Sequence, residues 1–351
     1  MKPTDYIEGS ADDWRTADAP EPEAGGGEDL PVHAFAARDG AGERVDRHLA
    51  RVLPAVFPGV SRTRIQQWIA LGAVWCEERA LTAKTRLLGH ERLLVQPLPR
   101  EADRAFEPDP VPLTFVDEDE HLLVIDKPAG LVMHPAAGNW RGTLLNGLLH
   151  HRPALAALPR AGIVHRLDKD TSGLLVVAKS ELALASFSAQ LADRSMSRRY
   201  FAFVKGVPAA QAQVDAPIGR DPQTRVRMAV VEPPAGRPAR THVQRIGSFQ
   251  VEGQQASLVE CRLETGRTHQ IRVHLRHLGH PLLGDAVYGG PAIGIGRQAL
   301  HAWRLGLDHP AGRGRVRWTS VPPDDMRALA ALAGIDFGIL CNELDQRIAA
   351  G

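Results

Sequence analysis

The stretch AGIVHRLDKDTSGLLVVAKS, residues 161–180, sets the tightest local constraint in the chain. Residues 174–178 are apolar without a break and are bounded by Gly173 and Lys179, so they read as a core strand. The polar half ahead of it, residues 165–172, then has to be a loop at that strand's N-terminal end. Two aspartates, Asp168 and Asp170, and two bases, Arg166 and Lys169, are thereby held against a packed element. Any fold for this chain must bury the strand and find a use for the charges at its mouth.

At 351 residues the chain is long enough for two domains with a real core. Further strands read at 121–126, 199–204, 241–246 and 257–263, and helices at 142–150, 181–193, 268–278 and near 323–333. Strand mostly follows strand in the second half, which predicts an α+β fold with a mixed, mainly antiparallel sheet. This domain spans 113–320, followed by an extension at 321–351 whose end is peripheral. A Pro- and charge-rich linker at 97–112 precedes it. Before the linker, residues 44–96 form a small module. There Val45, Leu49 and Leu53 fall at helical spacing, and Ser61 caps a second helix with Ile65, Trp68 and Ile69 on its apolar face. Short strands read at 73–76 and 92–95.

Charge is distributed unevenly. Residues 1–30 hold nine acids against Lys2 and Arg15, so the remaining body is basic although the whole chain is only +1. The acidic tail is expected to be disordered. A basic body suits a polyanionic partner, and equally a solvated surface. Arg62 and Arg64 stand in the first turn of the module's second helix, where cations oppose the helix dipole, and an outside anion would explain them. Cys76, Cys261 and Cys341 are widely spaced, with no disulfide framework or CxxC motif, which favours a reducing cytoplasm. No basic-then-apolar leader and no long apolar run suggest a membrane association.

Asp168 and Asp170 point the same way in an extended loop and could pair as glycosidase-like acids. For Asp170 the simpler reading is a turn cap shared with Thr171 and Ser172. In LETGRTHQIRVHLRHLGHPLLGD, residues 263–285, Arg267 follows a turn at the start of an amphipathic helix carrying Ile271, Leu275 and Leu278. A buried arginine there wants a carboxylate, and a carboxylate so held is a usable nucleophile, although a structural ion pair looks identical on paper. His269, His274, His277 and His280 invite a metal reading, but no acid stands at zinc-protease spacing, so no metal is expected. His134 and His165 are expected to shape the cleft rather than act as bases. Residues 127–130 read as a turn rather than a phosphate loop. Tyr200, flanked by Phe201 and Phe203, would by itself pass for a core aromatic.

Taken together, GIVHRLDKDTSGLLVVAKS and ETGRTHQIRVHL resemble the RluA-type pseudouridine synthases, most closely the RluD-like members. VIDKPAGLVMHP, SRRYFAFVKG, GHPLLGDAVYG and RQALHAWRLGLDHP extend the resemblance in the expected order over about 44–320. RVDRHLARVL and SRTRIQQWIALGAVWCEERAL resemble a small N-terminal S4 (α-L-type) RNA-binding domain. The resemblance implies isomerisation of uridine in RNA, most closely 23S rRNA of the large ribosomal subunit, without cofactor or metal. Asp168 would act at the ribose of a flipped-out uridine, Arg267 would be its salt-bridge partner, and Tyr200 would stack on the base and serve a proton at C5. Arg166 would fill the vacated space, while Arg62 and Arg64 would contact RNA. The implied protein is a cytoplasmic monomer. A tRNA or another rRNA site is the rival within the family. A glycosidase using both aspartates and a non-catalytic ribosome-assembly factor are the rivals outside it; the presence of Asp168, Tyr200 and Arg267 together weighs against the second.

Overall fold

The computed structural model describes residues 31–98, 105–136, 138–224 and 227–349, and the backbone alone at 6, 7 and 350. The acidic stretch 1–30, apart from the backbone of 6 and 7, and residues 99–104 of the expected linker lie outside the described residues. The chain divides into two compact units, residues 1–100 and 101–351.

In the first unit a four-stranded sheet runs in the order β1-β2-β4-β3, with Tyr6–Ile7 (β1), His33–Ala36 (β2), Val74–Cys76 (β3) and Arg92–Val95 (β4). Two helices, Val45–Val52 (α1) and Arg62–Ala70 (α2), pack their predicted apolar faces on it, so that Leu49, Leu53, Ile65 and Trp68 meet Phe35, Leu93 and Val95. Ser61 caps α2 by accepting the Arg64 N–H at 3.3 Å. The two arginines of this turn differ from expectation. Arg62 donates to Oδ2 of Asp46 through Nε at 3.1 Å and Nη2 at 2.9 Å, so its anion is supplied by α1 of the same unit. Burial would raise the Asp46 carboxyl, but bonds from Gln66, Arg62 and Arg44 outweigh it and hold the group below its ordinary range. Arg64 reaches the Leu98 carbonyl at 2.5 Å and lies 5.2 Å from the Trp68 ring centre. Neither arginine therefore requires an outside anion.

The second unit is built on a nine-stranded sheet. Its strands are Thr114–Glu118 (β5), Leu122–Lys127 (β6), Ser172–Ala178 (β7), Ser197–Lys205 (β8), Gln211–Asp215 (β9), Arg240–Val251 (β12), Gln254–Leu263 (β13), Leu300–Asp308 (β14) and Arg315–Thr319 (β15). Their order is β5-β6-β7-β14-β8-β13-β12-β9, with β15 on the second half of β14. Every pairing is antiparallel except β7 with β14, so the sheet is mixed and mainly antiparallel as the strand pattern predicts. A separate hairpin joins Ile218–Arg220 (β10) to Met228–Val230 (β11).

Helices cover both faces, which is why β7 is apolar at successive positions rather than alternate ones. Leu175 and Val177 face Leu144–His151 (α3) and Gln270–His277 (α5), whereas Leu174 and Val176 face Glu181–Ala192 (α4). On β8 the same alternation sends Tyr200 to the α3/α5 face and Phe201 and Phe203 to the other.

The end of the extension at 321–351, expected to be peripheral, is packed into the core together with the helix before it. Asp324–Leu332 (α6) and Phe337–Ala350 (α7) bury Met326, Leu329 and Phe337 against Phe201 and Trp303. Residues 105–112, expected as linker, also belong to this unit: Asn146 Nδ2 donates to the Ala105 and Glu107 carbonyls at 2.9 and 2.8 Å. Among the described residues no helix is long and apolar enough to cross a membrane.

Because the Phe337 ring packs 5.0 Å from that of Phe201, Phe337→Ala should destabilise the second unit by about 3–5 kcal/mol in urea denaturation. A peripheral residue would change stability by less than about 0.5 kcal/mol.

Candidate active site

The loop before β7 is tied down from several sides. Gly173 pairs with Ala302 of β14, and a Cβ there would come within 2.4 Å of the Ala302 carbonyl oxygen, so only glycine admits the parallel pairing. Ser172 Oγ and His301 Nδ1 lie 3.0 Å apart across the same junction. Thr171 N donates to the Asp168 carbonyl at 3.1 Å and closes the turn. Lys127 is fully buried and donates from Nζ to the Pro128, Leu131 and Lys169 carbonyls at 2.7, 2.9 and 2.9 Å. The KPAG stretch is thus a turn, and its lysine is a buried anchor for the charged loop. From the other side Arg297 donates to the Asp170 carbonyl at 2.9 Å and, through Nε, to Asp325 of α6 at 2.7 Å.

This scaffold aims Asp168 at α5. Its Oδ2 lies 3.1 Å from Nη1 of Arg272, and its Oδ1 3.9 Å from Nε2 of His269. Arg272, 5 % exposed, also holds Asp285 in a fork, Nε to Oδ2 at 2.7 Å and Nη2 to Oδ1 at 3.0 Å. Its guanidinium carbon lies 5.0 Å from the Tyr288 ring centre. Burial alone would favour losing the proton, but the two carboxylates outweigh it and raise Arg272 above the ordinary arginine range.

The carboxylate's partner is therefore Arg272 and not Arg267. Arg267 is exposed on the preceding loop, where its Nε donates to the Pro238 carbonyl at 3.1 Å, although it lines the same cavity. The helical spacing of Ile271, Leu275 and Leu278 predicts one buried face. In fact every residue of 270–275 is buried, because β10 and β11 cover the far side of α5 through Ile218, Met228 and Val230 packed on Val273 and Tyr288. The signal that could have exposed Arg272 is a second acid, Asp285, thirteen residues downstream in the same motif-bearing segment.

Asp168 opens into a cavity of about 720 Å³, a size that suits a nucleotide-sized ligand. Among the described residues its lining includes five arginines, Arg160, Arg166, Arg198, Arg267 and Arg272, and a single acid, Asp168. Tyr200, 5 % exposed, forms part of the wall, and burial pushes its phenol up to about 12, so it stands there as neutral phenol. Its placement opposite Phe201 and Phe203 was legible in the strand's period of two. Arg166 is exposed at the rim. Asp170 contributes its carbonyl to Arg297, and no hydrogen bond to its carboxylate is seen among the described residues.

The histidines of 269–280 diverge. His274 bonds to Thr241 Oγ1 and the Ala216 carbonyl at 2.9 and 3.0 Å, His269 to Tyr288 at 2.8 Å, and His280 to the Lys205 carbonyl at 2.8 Å. Among the described residues no group of three His, Cys, Asp or Glu side chains is placed to hold a metal.

Residues 121–277 match the profile of a family described as RNA pseudouridylate synthase. The chain is 49 % identical over 298 residues to a ribosomal large subunit pseudouridine synthase D of Nitrosomonas europaea, covering 82 % of this chain and 84 % of that one. It is 43 % identical over 319 residues to the protein of that name from Escherichia coli, covering 87 % and 94 %. Among solved structures, human RNA Pseudouridylate Synthase Domain Containing 1 matches with a TM-score of 0.52 at 25 % identity, covering 69 % of this chain and 97 % of that one.

Arg272→Met strips two carboxylates of their shared cation and should cost about 3–5 kcal/mol in urea denaturation, whereas Arg267→Met should change stability by less than about 0.5 kcal/mol. A second expectation concerns pH. Burial pushes His301 down to about 4, so on acidification the unfolded chain takes up a proton near 6.5 that the folded state refuses until about 4. Stability from this group is complete above pH 6.5 and is lost below it, by about 2 kcal/mol at pH 5. The difference in unfolding free energy between pH 7 and pH 5 should shrink by that amount in His301→Asn.

Proposed function

Because the chain belongs to the RNA pseudouridylate synthase family, we propose that it isomerises uridine to pseudouridine in the 23S RNA of the large ribosomal subunit. The observation that carries this reading is the Asp168 carboxylate, held 3.1 Å from Arg272 at the mouth of an arginine-lined cavity with an aromatic wall. The target uridine leaves its stack, at a cost of a few kcal/mol, so that its ribose reaches Asp168. The N1–C1′ bond breaks, the uracil turns against Tyr200, and C5 joins C1′ while the C5 proton is released and N1 takes one up. Asp168 acts at the ribose, Tyr200 offers a face to the base, and the exposed Arg166 enters the space that the nucleotide left.

The first unit, with its two helices on a small sheet that takes in His33–Ala36 ahead of the expected span 44–96, is read as an S4-like domain that docks structured RNA. Arg62 remains 44 % exposed beside Asp46 and offers one edge of its guanidinium to a phosphate, with Arg64 beside it on the same turn. Arg267 is assigned to the RNA backbone at the cavity rim. The reading further holds that the enzyme works in the cytoplasm as a monomer, away from membranes.

Tritium release from C5-labelled uridine in a large-subunit rRNA transcript tests the assignment. Asp168→Asn should lower release by at least about 10⁴-fold while RNA binding is retained, and Asp170→Asn should stay within about tenfold of wild type. Equal release by wild type and Asp168→Asn would remove Asp168 from the chemistry.

A further inference from the structure

Three buried polar atoms in residues lining the cavity have no protein partner: Nε of Arg198, Nδ1 of His165 and Nε2 of His134. Native interiors leave few such atoms unsatisfied, and a cluster of them at a site marks what the site receives. Two of the three have a definite polarity. Arg198 Nε carries a hydrogen by its chemistry. His165 Nε2 accepts the Val176 N–H at 3.1 Å, so the proton of the neutral ring sits on Nδ1. Burial first, and the neighbouring Arg198 charge second, push this imidazole down to about 3, which keeps it neutral at working pH. Both orphans are donors.

Arg198 itself is 6 % exposed, and among the described residues no carboxylate pairs with it. A buried arginine ordinarily brings its own anion. Here the guanidinium instead packs over Gly266, where a Cβ would stand 2.6 Å from Nη1, so the glycine makes room for an unpaired cation. Two residues along β8 on the same face stands Tyr200.

We infer that Arg198 and His165 form the carbonyl-binding site for the extruded uracil, an inference that rests on the uridine reading above. Phosphates have other cations: Arg160, Arg166 and Arg267 are exposed at the rim, whereas Arg198 is buried beside the aromatic that faces the base. A uracil carbonyl is an acceptor, and the amino group at position 4 of cytosine is a donor that would meet donors. When the N1–C1′ bond breaks, its electron pair stays with the uracil and spreads onto O2 and O4, so the donors strengthen their bonds as charge develops. Turning the ring about its N3–C6 axis exchanges N1 with C5 and, at the same time, O2 with O4. The same donors thus find a carbonyl before and after the turn, and hold the anion while C5 replaces N1 at the sugar.

Single-turnover tritium release from a C5-labelled large-subunit rRNA transcript, with the full-length chain, tests this. Arg198→Met should slow release by about 10²–10³-fold, while the Kd for the transcript and its dependence on salt stay those of wild type. Arg198→Lys should recover part of the loss, and guanidinium added to Arg198→Ala should restore release if the cavity is still formed. Wild-type rates in Arg198→Met would overturn the inference, as would a salt slope reduced by roughly one phosphate contact. A loss that follows a lowered Tm and resists both lysine and guanidinium would make Arg198 a structural residue and overturn it equally. A wild-type chain that releases no tritium would instead refute the uridine reading itself.

Discussion

One guanidinium between two carboxylates organises this catalytic unit. Arg272 reaches Asp168 with Nη1 and grips Asp285 with Nε and Nη2, so a loop more than a hundred residues upstream and the segment that follows α5 share a single planar group. A lysine could not do this, because its ammonium is a point charge without a fork. Taking these charges out of water is costly, and the arrangement persists because all three nitrogens of the fork donate to carboxylate oxygens. Its consequence is positional: the loop before β7 cannot move relative to α5 without leaving a buried charge unpaired.

The remaining supports of that loop act in the same sense and come from below. Lys127 gathers three carbonyls, Gly173 lets β14 approach, His301 joins Ser172, and Arg297 ties the loop to α6. A reacting carboxylate needs this kind of secondary fixation, since small misplacements are expensive in rate. The supports also explain why the C-terminal helices belong to the catalytic unit. They complete the aromatic layer under β8 and β14, and Asp325 anchors the arginine that holds the loop.

Around Asp168 the cavity is cationic, and its cations differ in burial. Exposed arginines at the rim suit a backbone of phosphates, whose binding is tuned by salt. The buried pair at the wall, Arg272 and Arg198, are distinguished by their partners: one is bracketed by carboxylates and the other has none. In the proposed reading, this division puts the fixed negative charge on the sugar side and leaves positive potential for the base.

Much of this architecture was legible in the residues themselves. Unbroken apolarity marked β7, a period of two separated Tyr200 from Phe201, and the cap Ser61 marked a helix start, because these depend on neighbours along the chain. The central strand β14 escaped such reading, since its buried His301 and Arg304 mimic a polar segment until their partners Ser172 and Asp345 are brought beside them. The choice of Arg272 over Arg267 was decided only by packing. Both lie near the start of one helix in one motif, and which is buried depends on a hairpin and a loop that fold over α5 from elsewhere in the chain. Periodicity records how a helix meets one surface. Only the assembled fold shows that a second surface covers its other side.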